Sequence, residues 1–405
     1  VSSHVDLSRA VEILADRVRA LGDEEVALPL ALDRVLAEEV VAARDVPPFA
    51  KAAVDGWAVR AEDTFGAGPL DPCELAIAGE ALPDKPAERA LERGEAIRIM
   101  TGSPVPDGAD AVVMLENVEE RGKVVRLTSS IAPRKNVAPR GEDVRAGDVV
   151  AARGRRLRPE DIGLLASIRK KTVRVHRRPS VLIWSSGDEL VDPLSDDPGG
   201  PRAIFDANGY VLEAQARRAG ALVRRGGILR DDKPAVRAAL AHASEDVTIT
   251  SGAASKGEHD FMAELVRELG ELWVHGVSIR PAHPTGFGRI GERLHFMLPG
   301  NPVAAWIGFR VFVRPALRLL EGESKERAFA RERVVRARLA RKIGSVIGRT
   351  DFCRVNLASD GTVVPLTSGG AGALTTVTRA DGIVVVPKEL EGLEEGTEVD
   401  VELLD

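Results

Sequence analysis

Residues 178 to 320 alternate between short β-branched runs and longer amphipathic ones, and no other property of the chain restricts its fold as much. The run SVLIW ends at SSGDEL, and DANGYVLEAQARRAG continues as a helix. A strand is expected near 221–229, then a helix that Asp232 opens and PAVRAALAHA continues. Val247, Thr248 and Ile249 suit a buried strand. From Phe261, apolar residues recur at Met262, Leu265, Val266 and Leu269, a helical spacing. Strands around 272–279 and at LHFML precede PGNPVAAWIGFRVFVRPALRLL, a helix with Asn301 as N-cap and Pro302 in its first turn. Alternation of this kind gives a mostly parallel sheet covered on both faces.

The flanking sequence has another texture. LSRAVEILADRVRAL, residues 7 to 21, is an amphipathic helix, and a second helix is expected over 30–40, stopped by Asp45-Val46-Pro47-Pro48. From Ala50 to about 140, GWAVRAED, EAIRIM, DAVVMLENV and KVVRLTS are β-prone pieces separated by Gly, Pro and Asp, which indicates a small β-rich unit. VAPRGEDVRAGDVVAARGRRL reads as a hairpin or barrel edge, and PEDIGLLASI as a helix starting at Pro159. After residue 320, RVNLASDGTVVPL, DGIVVVP and GTEVDVELL predict a closing β-domain. A chain of 405 residues has room for about two to four domains.

Composition removes several function classes. A net charge of −6 and a single Tyr disfavour nucleic acid and anionic membranes as partners. Arg dominates the cations, which a genome rich in Arg and Ala explains as well as function does. Cys73 and Cys353 match no ligand spacing and read as small hydrophobes. No run reaches the ~18 apolar residues of a membrane span, so a cytoplasmic location is the expectation. G-x-x-x-x-G-K-[ST], H-E-x-x-H, G-x-S-x-G and C-x-x-C are absent, which excludes the simple forms of a P-loop NTPase, a zinc protease and a serine hydrolase.

In the alternating region three strands end in small, polar turns: SSGDEL, TSGAASKGEHD and PGNP. In a parallel sheet these emerge at one edge, where ligands of open α/β folds bind. Asp188, Glu189, Glu258 and Asp260 would then share a pocket with the helix start at Asn301-Pro302, whose backbone N–H groups favour a phosphate or other oxyanion. Carboxylates need a cation such as Mg²⁺ between themselves and an anion. The plain alternative is a scatter of solvated acids and helix caps. Arg280 and His283, stiffened by Pro281 and Pro284, could grip an anion or stand as exposed basic residues in a proline-rich connection.

Nine separated motifs carry a likeness to a known family: VPPFAKAAVDGWAVRAED, IRIMTGSPVPDGADAVVMLEN, RGEDVRAGDVV, RRPSVLIWSSGDEL, ILRDDKPAVRAAL, TSGAASKGEHD, IRPAHPTGFG, MLPGNPVAAW and RADGIVVVP. Along essentially its whole length the chain resembles the molybdopterin molybdenumtransferases, the MoeA family that includes the E domain of gephyrin. The resemblance implies a multidomain α/β plus β protein. Residues 1–24, 41–47 and 141–177 would form a discontinuous, elongated linker domain, and 25–40 with 48–140 a β-rich insert. Residues 178–325 would form a central, mostly parallel α/β sandwich that binds molybdopterin, and 326–405 a C-terminal β-barrel. It also implies insertion of molybdate, or of tungstate, into adenylylated molybdopterin with Mg²⁺, cleavage of the adenylate and release of AMP. The implied assembly is a homodimer with the cleft shared between subunits, and the adenylyltransferase of the preceding step is an implied partner.

Carried over by position, the resemblance gives Asp55, Thr101, Asp143, Glu189, Asp232 (or Asp231) and Asp260 as catalytic residues, with Glu189 and Asp260 holding the metal. Ser251, Gly252, Ser255, Lys256, Arg280, His283, Pro299, Asn301 and Pro302 would bind substrate or anion. The departures fall on anion handling. Arg280-Pro281-Ala282-His283-Pro284 stands where the family has K-P-G-K-P, so a fixed charge is replaced by a partly protonated one at His283 and glycine's freedom is lost at Ala282. Ser251 to Gly257 replaces S-G-G-V-S-V-G, Phe49 to Gly56 loses polar side chains of F-D-N-S-A-M-D-G, and Ala371 replaces a serine. The alternative function is a weakened or inactive paralogue serving as a molybdopterin- or protein-binding scaffold.

Overall fold

The β-branched run at 247–251 forms the middle of a six-stranded sheet in the computed structural model, which describes residues 4–252, 261–331, 333–366 and 372–404. By its internal contacts the chain divides into two units. One comprises Val1–Glu25, Asp33–Ala37 and Arg174–Asp405, the other Val26–Leu32 and Glu38–Val173.

The first unit begins with helix α1 (Leu7–Arg17), capped by the Asp6 carboxylate, which accepts the Ser8 N–H at 3.0 Å. Its apolar face buries Ala10 and Leu14 completely. There follow β1 (Ser180–Ser186), α2 (Asn208–Arg218), β2 (Leu222–Leu229), α3 (Lys233–His242), β3 (Val247–Ser251), α4 (Phe261–Leu269), β4 (Gly270–His275), β5 (Gly286–Ile290), β6 (Arg293–Leu298), α5 (Pro302–Gly308) and α6 (Arg314–Leu320). A π turn, Phe309–Val313, joins α5 to α6. The sheet order is β2-β1-β3-β6-β5-β4: the first four strands are parallel, and β5 and β4 add as an antiparallel edge.

Burial on both faces explains why β1 carries the unbroken apolar run Val181–Trp184 instead of alternating. Val181 and Ile183 join Leu212, Ile249, Phe296 and Phe312 in one core, while Leu182 and Trp184 join Val236, Leu240, Met262 and Leu265 in another. Each such side chain contributes about 1.5–3 kcal/mol when fully buried. Trp184 also dictates its neighbour: a Cβ on Gly226 would lie 2.1 Å from the indole Nε1.

The strands β7 (Val334–Leu339), β8 (Thr350–Leu357), β9 (Thr362–Pro365), β10 (Gly382–Val386) and β11 (Glu398–Leu403) close into a barrel in the order β8-β9-β7-β11-β10-β8. Leu339, Val355, Val363, Val384 and Val401 fill it. Ile279–Arg280 adds to β8 as a parallel strand, opposite Thr350 and Asp351.

The second unit holds another six-stranded sheet, in the order Ala111–Met114, Gly56–Val59, Glu95–Ile99, Cys73–Ala81, Val124–Leu127, Val118–Arg121. Cys73–Ala81 was not among the β-prone pieces; its CELAIAGEA sequence has little intrinsic strand preference and is held by pairing on both sides. The helix expected over 30–40 does not form. Leu28–Leu30 makes a short 3-10 turn, Asp33 adopts φ +62°, and Leu36 bridges to Val175 instead. A buried strand contact at Leu36 outweighs local helix preference there. The helix at PEDIGLLASI does form, over Pro159–Ser167. Among the described residues no helix is long and apolar enough to cross a membrane.

Candidate active site

Parallel pairing in register, Ser185 opposite Ser251 and Ser251 opposite Leu298, brings the turns after β1, β3 and β6 to one edge of the sheet. Side chains then lock them together. Ser251 Oγ donates to the Pro299 carbonyl at 3.0 Å, and Gly252 N–H to the Leu298 carbonyl at 3.2 Å. Gly252 has φ +116°, and a Cβ there would fall 2.1 Å from the Ser186 carbonyl oxygen, so only glycine fits.

A fourth segment, unread as functional in the sequence, completes this cluster. Asn208 Nδ2 donates to Ser251 Oγ at 2.9 Å and to the Gly300 carbonyl at 2.7 Å. The buried Asp206 accepts Ser185 Oγ at 2.7 Å and the Gly209 N–H at 2.9 Å. The signal was present in DANG, where two cap-type residues precede a helix; their inward use depends on tertiary structure.

The acidic residues divide by role. Asp231 N–H donates to Asp188 Oδ1 at 3.1 Å, and Ser186 Oγ reaches Asp231 Oδ1 at 3.5 Å. Asp232 faces its own helix: its carboxylate accepts the Ala235 N–H at 3.1 Å and caps α3. Glu189 folds back over Gly187, with Oε2 2.6 Å from where a Cβ on that glycine would lie. Ser255, Lys256, Glu258 and Asp260 lie outside the described residues. Among the described residues, no group of three or more His, Cys, Asp or Glu side chains could hold a metal ion.

Pro299 and Asn301 also line a cleft of about 720 Å³ between β6 and the barrel. Arg280, Ala282 and His283 form one wall; Lys342, Arg349, Asp351, Cys353 and Arg354 form the other. Arg280 pairs with the buried Asp351 carboxylate and donates to the Gly344 carbonyl at 3.3 Å. The bond to Asp351 raises the pKa of Arg280 above the usual guanidinium value. His283 Nδ1 is 2.8 Å from the Val277 carbonyl, which only accepts, so this nitrogen carries the proton. The His283 ring meets His4 edge-on, with centroids 3.9 Å apart. Ala282 is buried at φ +86°, in the left-handed region where the related motif has glycine. Burial pushes the Cys353 thiol up to about 12, and its neighbour Asp351 adds to the shift. The barrel cations were missed by sequence reasoning, although GRTDFCR places two arginines around one short strand.

In the second unit, Asp55 Oδ1 accepts both the N–H of Thr101, at 2.7 Å, and its hydroxyl, at 2.8 Å. These two bonds lower the Asp55 pKa. Asp143 lies on a turn closed by its own N–H to the Val46 carbonyl at 3.0 Å, outside those bonds. Pro302 occupies the first turn of α5, and Asn301 takes the extended N-cap backbone without a side-chain cap bond.

Three family models match the chain in sequence order: the MoeA N-terminal region (domain I and II) over residues 5–168, a probable molybdopterin binding domain over 182–319, and the MoeA C-terminal region (domain IV) over 336–404. The chain belongs to the MoeA family. A molybdopterin molybdenumtransferase of Staphylococcus aureus is 30% identical over 403 residues, covering 98% of this chain and 95% of that one. Among solved structures, a molybdopterin biosynthesis MoeA protein of Pyrococcus horikoshii superposes with a TM-score of 0.84 at 35% identity, covering 99% of both chains. A MoeA structure from Pyrococcus horikoshii OT3 gives 0.86 at 31% identity, covering 99% of this chain and 100% of the other. The turn cluster lies within the segment matched as the molybdopterin binding domain, and the Arg280 cleft runs from that segment to the one matched as the MoeA C-terminal region.

Proposed function

We propose that this protein inserts molybdate into adenylylated molybdopterin, cleaving the adenylate and releasing AMP together with molybdenum cofactor. Membership of the MoeA family places the chain in molybdenum cofactor biosynthesis as a transferase. The reaction itself is supported above all by two anion environments that share Pro299 and the residues after it. One is the turn cluster of Ser186, Ser251, Gly252 and Gly300, whose small side chains let backbone come close to a phosphate. The other is the cleft where Arg280, Arg349 and Arg354 supply planar forks for an oxyanion.

Mg²⁺ binds through one or two carboxylates plus substrate phosphates rather than in a full protein cage, and Glu189, with Asp260 from outside the described residues, would be the carboxylates to supply them. An ion held by them would supply charge neutralisation at the phosphate. Asp231 and Asp188, linked to each other and to Ser186, orient the turn that presents Glu189. A homodimer is the proposed assembly, and light scattering of purified protein tests it.

The deciding assay is AMP release from adenylylated molybdopterin with Mg²⁺ and either molybdate or tungstate. Oxyanion-dependent release, lost in Asp260→Asn and weakened in Arg280→Ala, is expected. Tight substrate binding without release would instead make the protein a scaffold, with Ala282 and His283 the departures responsible.

A further inference from the structure

The turn from Gly187 to Leu190, which presents Glu189, is held through its main chain. Gly187 N–H donates to the Leu229 carbonyl at 3.1 Å, and Ile204 N–H to the Glu189 carbonyl at 2.9 Å. Beyond the turn, Leu190–Val191 pairs with Ile204–Phe205. Arg230, the residue after β2, adds the remaining tie. Its Nη1 donates to the Asp188 carbonyl at 2.7 Å and to the Leu190 carbonyl at 3.3 Å.

One guanidinium nitrogen thus spans the two carbonyls on either side of Glu189. The peptide planes that flank an α-carbon fix its φ and ψ, and with them the direction of its Cβ. For Glu189 those planes carry the Asp188 and Glu189 carbonyls, the first held by Arg230 and the second by Ile204.

The choice of partners is informative. Asp188, Glu189, Asp231 and Asp232 all stand on the two short segments that Arg230 joins. Among the described residues Arg230 forms an ion pair with none of them and spends its donors on main-chain carbonyls. The exposed Glu189 carboxylate likewise has no hydrogen bond or ion pair among the described residues.

We infer that Arg230 is a positioning residue, which aims the Glu189 carboxylate at a hard cation by clamping the main chain around it. The inference rests on the proposed role of Glu189 as a Mg²⁺ ligand. That donor fits the ion: an uncommitted hard oxygen, able to serve as one of the one or two carboxylates Mg²⁺ takes besides phosphate oxygens.

A clamp and a mere charge predict opposite signs. A positive charge beside a cation site repels the ion, so removing an arginine that acted by charge alone would tighten cation binding. Removing a clamp weakens it, as loss of the groups that orient metal ligands generally does.

The test is a titration of the whole protein with Mn²⁺ in the presence of AMP, free ion being read by electron paramagnetic resonance. Glu189→Gln and Arg230→Met each weaken Mn²⁺ binding by about tenfold or more. Arg230→Lys, whose ammonium can still donate to both carbonyls, stays within about threefold of wild type and guards against a folding defect in the methionine variant. In the AMP-release assay, Arg230→Met raises the Mg²⁺ concentration needed for half-maximal rate while the rate at saturating Mg²⁺ is kept. Unchanged or tighter Mn²⁺ binding in Arg230→Met, beside a weakened Glu189→Gln, would overturn the clamp and leave the cation site standing. Binding as weak in Arg230→Lys as in Arg230→Met would overturn it too. Wild-type binding in Glu189→Gln would overturn the cation site itself, and the clamp with it.

Discussion

The Cα of Gly252 lies so close under Ser186 that the carbonyl oxygen of that serine occupies the space any Cβ would need. Two turns from separate strands are thereby fixed against each other by backbone alone. Gly252→Ala combines this overlap with the strain of φ +116°, and is expected to cost at least 2–3 kcal/mol. Urea denaturation reads the loss; a variant of unchanged midpoint would mean that the turns move apart freely.

Asn208 ties two of those turns through one amide. Asn208→Ala leaves the Gly300 carbonyl without that donor, at a cost of about 1–3 kcal/mol. AMP release should fall more than stability alone explains, because the turn positions depend on that amide. Asn208→Asp, which cannot donate to a carbonyl, should behave like the alanine variant.

His295 is wholly buried between Thr248 and Thr250, with Nδ1 2.8 Å from Thr248 Oγ1. Desolvation, with a smaller push from Arg293, lowers it to about 3 from 6.5. The sign follows directly: the unfolded chain binds this proton first, so the contribution is complete above pH 6.5 and is lost as pH falls towards 3. The slope is about 1.4 kcal/mol per pH unit. Thermal melts of wild type and His295→Gln between pH 7 and 4.5 should diverge, the wild type falling faster on acidification.

His283 offers a proton to an anion at Nε2 only when the ring is cationic, because Nδ1–H is committed to Val277. His283→Lys supplies a charge at every working pH. Molybdate binding should tighten by about tenfold near pH 7.5, and a calorimetric titration shows whether it does.

Cys353 lines the cleft as a thiol. With its pKa pushed up to about 12, it has little thiolate at neutral pH and no role as a nucleophile. Cys353→Ser should retain AMP release within a factor of two. Rapid labelling of Cys353 by iodoacetamide at pH 7.5 would contradict this account.

The α/β order and the common edge of the three turns were legible because period and β-branching report burial directly: VLIW has no polar face, and the threonines of VTIT are β-branched and buried. Position within that edge was less legible. Asp231 and Asp232 are adjacent and chemically identical, yet one meets the turn cluster and the other caps a helix. Asp206 and Asn208 looked like helix-start residues because capping chemistry and turn-locking chemistry use the same side chains. Arg349 and Arg354 come from another domain, so no local pattern ties them to the cleft. The error at 30–40 arose where a helical period met a chain pulled extended by a distant partner at Val175.

Arg280 belongs to a strand that hydrogen-bonds into the barrel, with Thr350 N–H on the Ser278 carbonyl at 3.0 Å. At Arg280 the two walls of the cleft are therefore joined by backbone hydrogen bonds, and opening the cleft there would break them. A mouth braced at that point sorts its guests by the reach of individual side chains. If the cleft serves the proposed reaction, molybdate and tungstate, nearly equal in size, would pass it alike, and any preference between them comes from the chemistry that follows entry.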